Sequence, residues 1–384
     1  MMNFSIAYRQ LGALLGAHFF ADLVSGILAG FLPAVLTYFN LELSLGVVLI
    51  TSLGLGSNFL QVPAAKIARD KTGPAALIAG LILCAAFVVL ALMPRSTPLW
   101  GLCLIMLLVG FGIALVHPQG VRGVQSLTEL PASLTTPVFM IGGFLGYAVS
   151  PFLGGLLVGY FGMKGLLWLL PVPAAVIAAV YWSKVRFVPD SQGKKAAAVD
   201  MAATAWTFRR IWFIGLFLNT GTVIFSSLLP TMLHRQGFSL GFGGFSAMLF
   251  GLGSACGSMG IGLIARRFRP EKLIVWGLCA GIPAGCVYLF CCGVPAACVI
   301  LFLAGVGAAA GFPQLVALTQ TVPSKFALST RIGMIVGWTW GMAGVLFLGM
   351  GVIAERFGVK TALWFGLVSY SAALLLAASG KMKK

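Results

Sequence analysis

Acidic residues are nearly missing from this chain: eight Asp and Glu stand among 384 residues, and all charged types together make only 9% of it. With 60% of the residues hydrophobic, a soluble globule of this size could not hide its apolar surface, so lipid must be the solvent. Long polar stretches are missing too. The longest predicted loop runs from Arg186 to Arg210, which leaves no room for a soluble nucleotide-binding, signalling or docking domain. No GxxxxGK[ST] loop is present, and ATP-driven pumping by this chain is not expected. The eight cysteines fall in or beside apolar runs and lack the paired CxxC spacing of a zinc site, so neither a metal nor a disulfide framework is read from them. No nucleophile, base and oxyanion arrangement is legible, so no enzymatic activity and no cofactor are expected.

Positive charge is what the chain has in excess, at +17, yet its basic residues are dealt out between hydrophobic runs instead of gathered on one soluble face. That distribution argues against a nucleic-acid partner. It fits a membrane topology. Spanning helices need about 20 apolar residues, and such runs are read at 11–39, 44–66, 74–94, 98–117, 136–161 and 165–184, then at 211–233, 241–265, 272–293, 296–318, 330–354 and 360–379. Many are apolar on every face, which excludes the alternating pattern of barrel strands. The fold class is therefore an all-α polytopic membrane protein of twelve transmembrane helices in two six-helix bundles. The bundles are expected at 1–185 and 211–384, joined by a cytoplasmic linker at 186–210. The first ten residues hold one Arg and no cleavage site, so the first span is read as a retained helix. Of the 25 Lys and Arg, 20 fall on the side of the termini and five on the other, which predicts both termini inside. Attraction to anionic lipid headgroups follows from the same charge.

The two bundles carry an internal repeat. At an offset of 197, Pro33 matches Pro230, Gly54-Leu55-Gly56-Ser57 matches Gly251-Leu252-Gly253-Ser254, and Ile67-Ala68-Arg69 matches Ile264-Ala265-Arg266. At an offset of 195, Gly110, Gly112, Ala114, Pro118 and Gln119 match Gly305, Gly307, Ala309, Pro313 and Gln314.

Among the acidic residues Asp22 alone lies deep in a span, with the others in loops or near helix ends. A carboxylate at bilayer depth costs several kcal/mol and marks a functional position, facing a bundle interior or an aqueous cavity. His18 lies one helical turn earlier on the same face, where the two can share a proton; the bland alternative is a pair that only ties helices together. The repeat pairs Asp22 with Asn219, and the two are expected on opposite walls of one cavity. His117, followed by Pro118 and Gly120, is read at the inner end of the fourth helix as a gate, a substrate contact or an interfacial residue bonded to freed carbonyls. His234, beside Arg235, is read as a solvated loop residue. Tyr147, Trp338 and Trp340 offer stacking surfaces to a substrate, although helix packing is the commoner use of such rings. The glycines Gly142, Gly143, Gly146, Gly154 and Gly155 are read as close-packing positions.

These residues resemble the major facilitator superfamily and, within it, the fosmidomycin-resistance group of bacterial drug exporters. The resemblance rests on His18 and Asp22 as HxxxD, on His117-Pro118 with Arg122 beyond, and on Gly146, Ser150, Pro151, Gly154 and Gly155 against the pattern GxxxGPxxGG, in which Ser150 replaces a glycine. The loop at 66–73 keeps the acidic, basic and final glycine elements of GxLADRxG, including Arg69 and Asp70, whereas its second-half counterpart has the basic Arg266 where an acid is expected. The basic residue of a fourth-helix RxxxG motif is absent, since Met106 lies four before Gly110. The resemblance implies a monomeric bacterial inner-membrane transporter, with a small-molecule substrate, protons and the bilayer as partners. Proton coupling would rest on Asp22, His18 and His117, substrate contact on Asn219, Tyr147, Trp338 and Trp340, gating on Asp70, Arg69, Arg122 and Arg266, and packing on Gly146, Pro151, Gly154 and Gly155. Export, import by proton symport and lipid or lysolipid flipping remain open on this fold; a non-transporting sensor or scaffold would need the soluble domain that is missing.

Overall fold

With no water in the bilayer core, backbone groups can be satisfied only within helices or a closed barrel, and this chain takes the helical solution. The computed structural model describes residues 2–67, 71–188, 206–264, 267–294, 296–326 and 328–380, and holds no strand among them. The first half contains α1 (Met2–Phe39), α2 (Leu43–Phe59, bent by 48° into Gln61–Ile67), α3 (Ala75–Ala85, tightening to a 3-10 turn at Ala86–Ala91), α4 (Leu99–Gln125), α5 (Ala132–Phe161) and α6 (Gly162–Leu169 as 3-10, then Pro171–Trp182). The second contains α7 (Phe208–Arg235), α8 (Leu240–Ile264), α9 (Pro270–Cys291), α10 (Ala297–Ala309 with Gly311–Thr321), α11 (Leu328–Gly333, a π segment at Met334–Trp338, then Thr339–Phe357) and α12 (Val359–Ala378). Nine described stretches are each long and apolar enough to cross a membrane. One of them, Ala132–Trp182, holds both α5 and α6, and the bent α2 and the shorter α3 complete twelve spans.

Local chemistry sets the helix ends. Thr207 caps α7 by accepting from the Arg210 N–H, Pro98 and Pro131 sit extended just before α4 and α5, and Gly162 and Gly358 stop α5 and α11 with φ of +61° and +92°. The fourth helix corrects an expectation. It does not break at His117 but runs two turns further, through Pro118 to Gln125. Proline removes one hydrogen bond of a 27-residue helix, and neighbours hold the turns beyond it, Gly120 against Phe139 and Gly123 against Leu14. His117 is therefore inside the span, not at its border. The expected linker at 186–210 lies mostly outside the described residues, as do Arg69, Asp70 and Arg266.

The repeat is built into the packing. In the first half Gly56 faces the Leu107 carbonyl and Gly110 faces the Leu53 carbonyl, bringing α2 against α4. In the second half Gly253 faces the Phe302 carbonyl and Gly305 faces the Phe250 carbonyl, the same four positions in the same register. Gly80 with Gly112, and Gly277 with Gly307, repeat the next contact. Helices in lipid gain little from burial as such, so backbone approach at small residues carries much of their association.

The halves meet along two seams. Between α5 and α8, Pro151 presses on Gly244, Ala148 on Gly251 and Gly155 on the Leu240 carbonyl. Between α2 and α11, Thr51 Oγ1 donates to the Gly344 carbonyl at 3.2 Å, Gly351 rests on Val47, and the Leu43 N–H donates to Glu355 Oε2 at 2.7 Å. The α5–α8 contacts and the Leu43–Glu355 bond lie toward the face opposite the chain's ends, called the far face below. α4 and α10 form no extended contact among the described residues.

Candidate functional site

Near the middle of α1, Asp22 joins two histidines from different helices. His117 Nε2 of α4 lies 2.9 Å from Asp22 Oδ1, and His18 Nε2 lies 3.3 Å from Asp22 Oδ2. The two imidazoles meet edge to face at 5.2 Å. Space for the cluster comes from α5: any side chain at Gly143 would run into Asp22 Oδ2 and the His18 ring. Asp22 and His117 keep about a fifth of their side-chain surface accessible, 19% and 24%, so the site is reachable from solvent-sized space, whereas His18 is buried at 8%.

Hydrogen-bond partners fix one hydrogen in this cluster. His18 Nδ1 lies 2.8 Å from the Phe139 carbonyl, which can only accept, so Nδ1 carries a hydrogen. A neutral His18 ring would then turn a bare Nε2 lone pair toward an ionised Asp22. At 3.3 Å the two atoms stand at ion-pair distance, and a proton taken up at this contact would reside on His18 Nε2 or on Asp22 Oδ2. On the other side, Gln61 Nε2 approaches His117 Nδ1 at 3.5 Å, which suits an amide donor and leaves the His117 Nε2 hydrogen for Asp22. His18, Asp22 and His117 also form a group whose ligand atoms lie within 4.8 Å of one another, a spacing that would admit a metal ion. As they stand, His117 Nε2 is hydrogen-bonded to Asp22 Oδ1, and His18 Nε2 lies at ion-pair distance from Oδ2.

One turn further along α1 opens a cavity of about 700 Å³, counting the part open to solvent, walled by both halves. Ser25 of α1, Asn58 of α2 and Tyr147 of α5 face Ser226 and Ser227 of α7 and Trp340 of α11 across it. The Tyr147 hydroxyl and Ser226 Oγ are 3.0 Å apart and bridge the halves.

The other sequence-selected residues divide. Tyr147 and Trp340 line the cavity; Asn219 and Trp338 do not. Asn219 is buried, and its Nδ2 donates to Thr339 Oγ1 at 2.7 Å, because the small Thr339 beside the π segment of α11 lies within its reach. The expectation of Asn219 on a cavity wall is corrected to that interhelical bond. Trp338 is 49% exposed and packs edge to face on Phe59, 6.2 Å away. Arg122 is buried and donates to Gln119 Oε1 at 2.9 Å and to the carbonyls of Lys71 and Val188, both at 3.2 Å, so it ties α4 to the segments after α2 and α6. His234 is exposed, with Nδ1 bonded to the Phe238 carbonyl at 3.1 Å. Gly146 faces the Phe19 carbonyl and Gly154 the Ile27 carbonyl, and Pro151 contacts Gly30, all on α1. Sequence reasoning missed Ser25, Asn58, Ser227, Gln61 and the Phe139 carbonyl. Ser25 stands one turn past Asp22 and could have been found by following that helical face; the others depend on tertiary placement.

The sequence profile described as Major Facilitator Superfamily matches residues 14–346, most of the chain and both halves. The chain belongs to the Major Facilitator Superfamily. It is an integral membrane protein, and membrane transport is what this superfamily and the chain's structural neighbours share. This superfamily member is 22% identical over 373 residues to the "Fosmidomycin resistance protein" of Escherichia coli strain K12, covering 92% of this chain and 88% of that one. It is 27% identical over 237 residues to the "4-hydroxybenzoate transporter PcaK" of Pseudomonas aeruginosa, covering 50% and 52%. Among solved structures, a bacterial homologue of the human lysosomal transporter Spinster, in an inward-facing and occupied conformation, superposes with a TM-score of 0.75 at 16% identity, covering 97% of this chain and 96% of that one. The nucleoside transporter NupG gives 0.71 at 14%, covering 97% and 98%. At such identities the structures speak for the shared fold alone.

Proposed function

We propose that this superfamily member is a proton-coupled secondary transporter that exports a small organic molecule by alternating access. The observation that carries the reading is the Asp22 carboxylate held between His18 and His117 one turn from a cavity shared by the two halves. An ionisable group at bilayer depth is costly unless it has work to do, and a proton shared at this contact gives it that work. In the cycle, Asp22 and His18 take up a proton when the cavity faces one side and release it on the other. His117 holds the second carboxylate oxygen and changes its bonding as α4 moves relative to α1. Substrate occupies the cavity against Tyr147 and Trp340. The basic face, where 20 of the 25 Lys and Arg lie, is cytoplasmic, and the protein works as a monomer in a bacterial inner membrane. Export is favoured by the relative named for resistance to a drug, since resistance is a phenotype that efflux produces.

The test uses purified protein in vesicles holding a trapped pH indicator, with an imposed gradient and a panel of small organic drugs that includes neutral and charged members. A panel member should discharge the gradient only in vesicles that contain the protein, and a protonophore should abolish its accumulation. Transport that ignores the pH gradient would contradict the reading.

A further inference from the structure

We infer that the central cavity is built for an electrically neutral molecule carrying hydroxyl or amide groups at one edge and a flat apolar face at the other. This rests on the reading of that cavity as the transport site and names the class of its substrate.

None of the residues lining the cavity is charged, basic or acidic. An ion placed among them would lose its hydration with no opposite charge in contact, the arrangement that disfavours burial most strongly. The nearest ionisable groups, one turn along α1, do not offer themselves to a substrate: Asp22 Oδ1 is bonded to His117 and Oδ2 faces His18. A substrate cation would have to displace both imidazoles.

What the walls do offer is neutral hydrogen bonding. Some lining polar groups are already used, Thr51 on the Gly344 carbonyl, Ser57 on the Gly54 carbonyl, and Tyr147 with Ser226. Four groups have no protein partner among the described residues: the hydroxyls of Ser25 and Ser227, Asn58 Oδ1 and Trp340 Nε1. Two come from each half. Together they supply donors and acceptors, the mixed set that hydroxyl and amide groups match from either side. Trp340 adds an aromatic face on α11, where a ring or other flat apolar portion can lie. A neutral cargo has a consequence for energetics: exchange for one proton moves one net positive charge per cycle, so the membrane potential drives export together with the pH gradient.

The test measures binding to the purified full-length protein at neutral pH with three probes that differ at one carbon. They are phenyl β-D-glucopyranoside, its uronate with a carboxylate at C6, and its 6-amino-6-deoxy form with an ammonium there. The neutral glucoside should bind about tenfold more tightly than either charged congener. Trp340→Ala should weaken it about tenfold by removing the ring face, and Ser227→Ala about threefold by removing one hydrogen bond. Equal or tighter binding of a charged congener overturns the inference, and so does binding of none of the three. Flux of the same probes in vesicles separates this inference from the transport reading. Neutral binding without gradient-driven flux would sink transport and leave the cavity's preference standing; gradient-driven flux of a charged congener alone would do the reverse.

Discussion

The two halves repeat their packing residue for residue and differ at the site. Gly56 with Gly110 and Gly253 with Gly305 occupy equivalent helix contacts, yet the offsets that align them turn His18 into Gly215, Asp22 into Asn219 and His117 into Phe312. All three members of the titratable cluster are neutral in the second half. There Asn219 bonds to Thr339, and the Phe312 ring sits 6.1 Å from that of Trp340. The comparison separates what the scaffold demands from what chemistry demands. Glycines at backbone crossings recur because the helices must approach closely in both halves. The carboxylate held between two imidazoles does not recur, as expected if one proton site serves both bundles in the function proposed above.

Breaking the asymmetry at His117 should have the largest effect. His117→Phe gives the first half the second half's residue, removes the 2.9 Å partner of Asp22 and should lower gradient-driven flux about a hundredfold; initial rates in vesicles would show it, and a rate within twofold of the parent would contradict the assignment. Next comes packing. Gly30 meets the Pro151 backbone where α1 crosses α5, so Gly30→Leu should destabilise the protein by about 1–3 kcal/mol through overpacking, read as a lowered unfolding midpoint in detergent. An unchanged midpoint would mean that the crossing is looser than described.

A smaller change is expected at the seam between the halves. Glu355 accepts from the Leu43 N–H at the start of α2, a carboxylate at a helix N-terminus worth about 1 kcal/mol. Glu355→Gln should shift the population toward a state open at the far face, seen as faster thiol labelling of a cysteine placed in the cavity at Ser227. Slower labelling would show that the contact does not hold the far face shut. The smallest effect belongs to the neutral counterpart. Asn219→Ala removes a buried hydrogen bond to Thr339, which should cost about 1 kcal/mol of stability while the pH dependence of flux stays where it was. A displaced pH profile would place Asn219 in the proton pathway.

Much of the scaffold was legible in the sequence because lipid enforces a simple code. Apolar runs gave twelve spans, and the shared Gly, Pro and Gln positions gave the repeat. The site was legible where it is local: His18 and Asp22 lie one turn apart, so helix geometry alone joins them. It was obscure where it is tertiary. His117 lies 95 positions from Asp22, and Pro118 suggested a helix end where packing carries the helix onward. Asn219 was placed in the cavity by symmetry, but symmetry fixes the backbone position and not the bond a side chain finds, and Thr339 was within reach. Trp338 and Trp340 could not be told apart by pattern, although only Trp340 lines the cavity among the two.

If Asp22 carries the coupling proton for the whole molecule, a single variant of that residue should separate coupling from transport. Asp22→Asn makes the first half match the second at this position and keeps the side chain's size. Vesicles containing it should lose pH-gradient-driven accumulation of the transported compound while still exchanging that compound across the membrane when no gradient is imposed. Accumulation at the parent rate under the same gradient would show that the proton travels elsewhere.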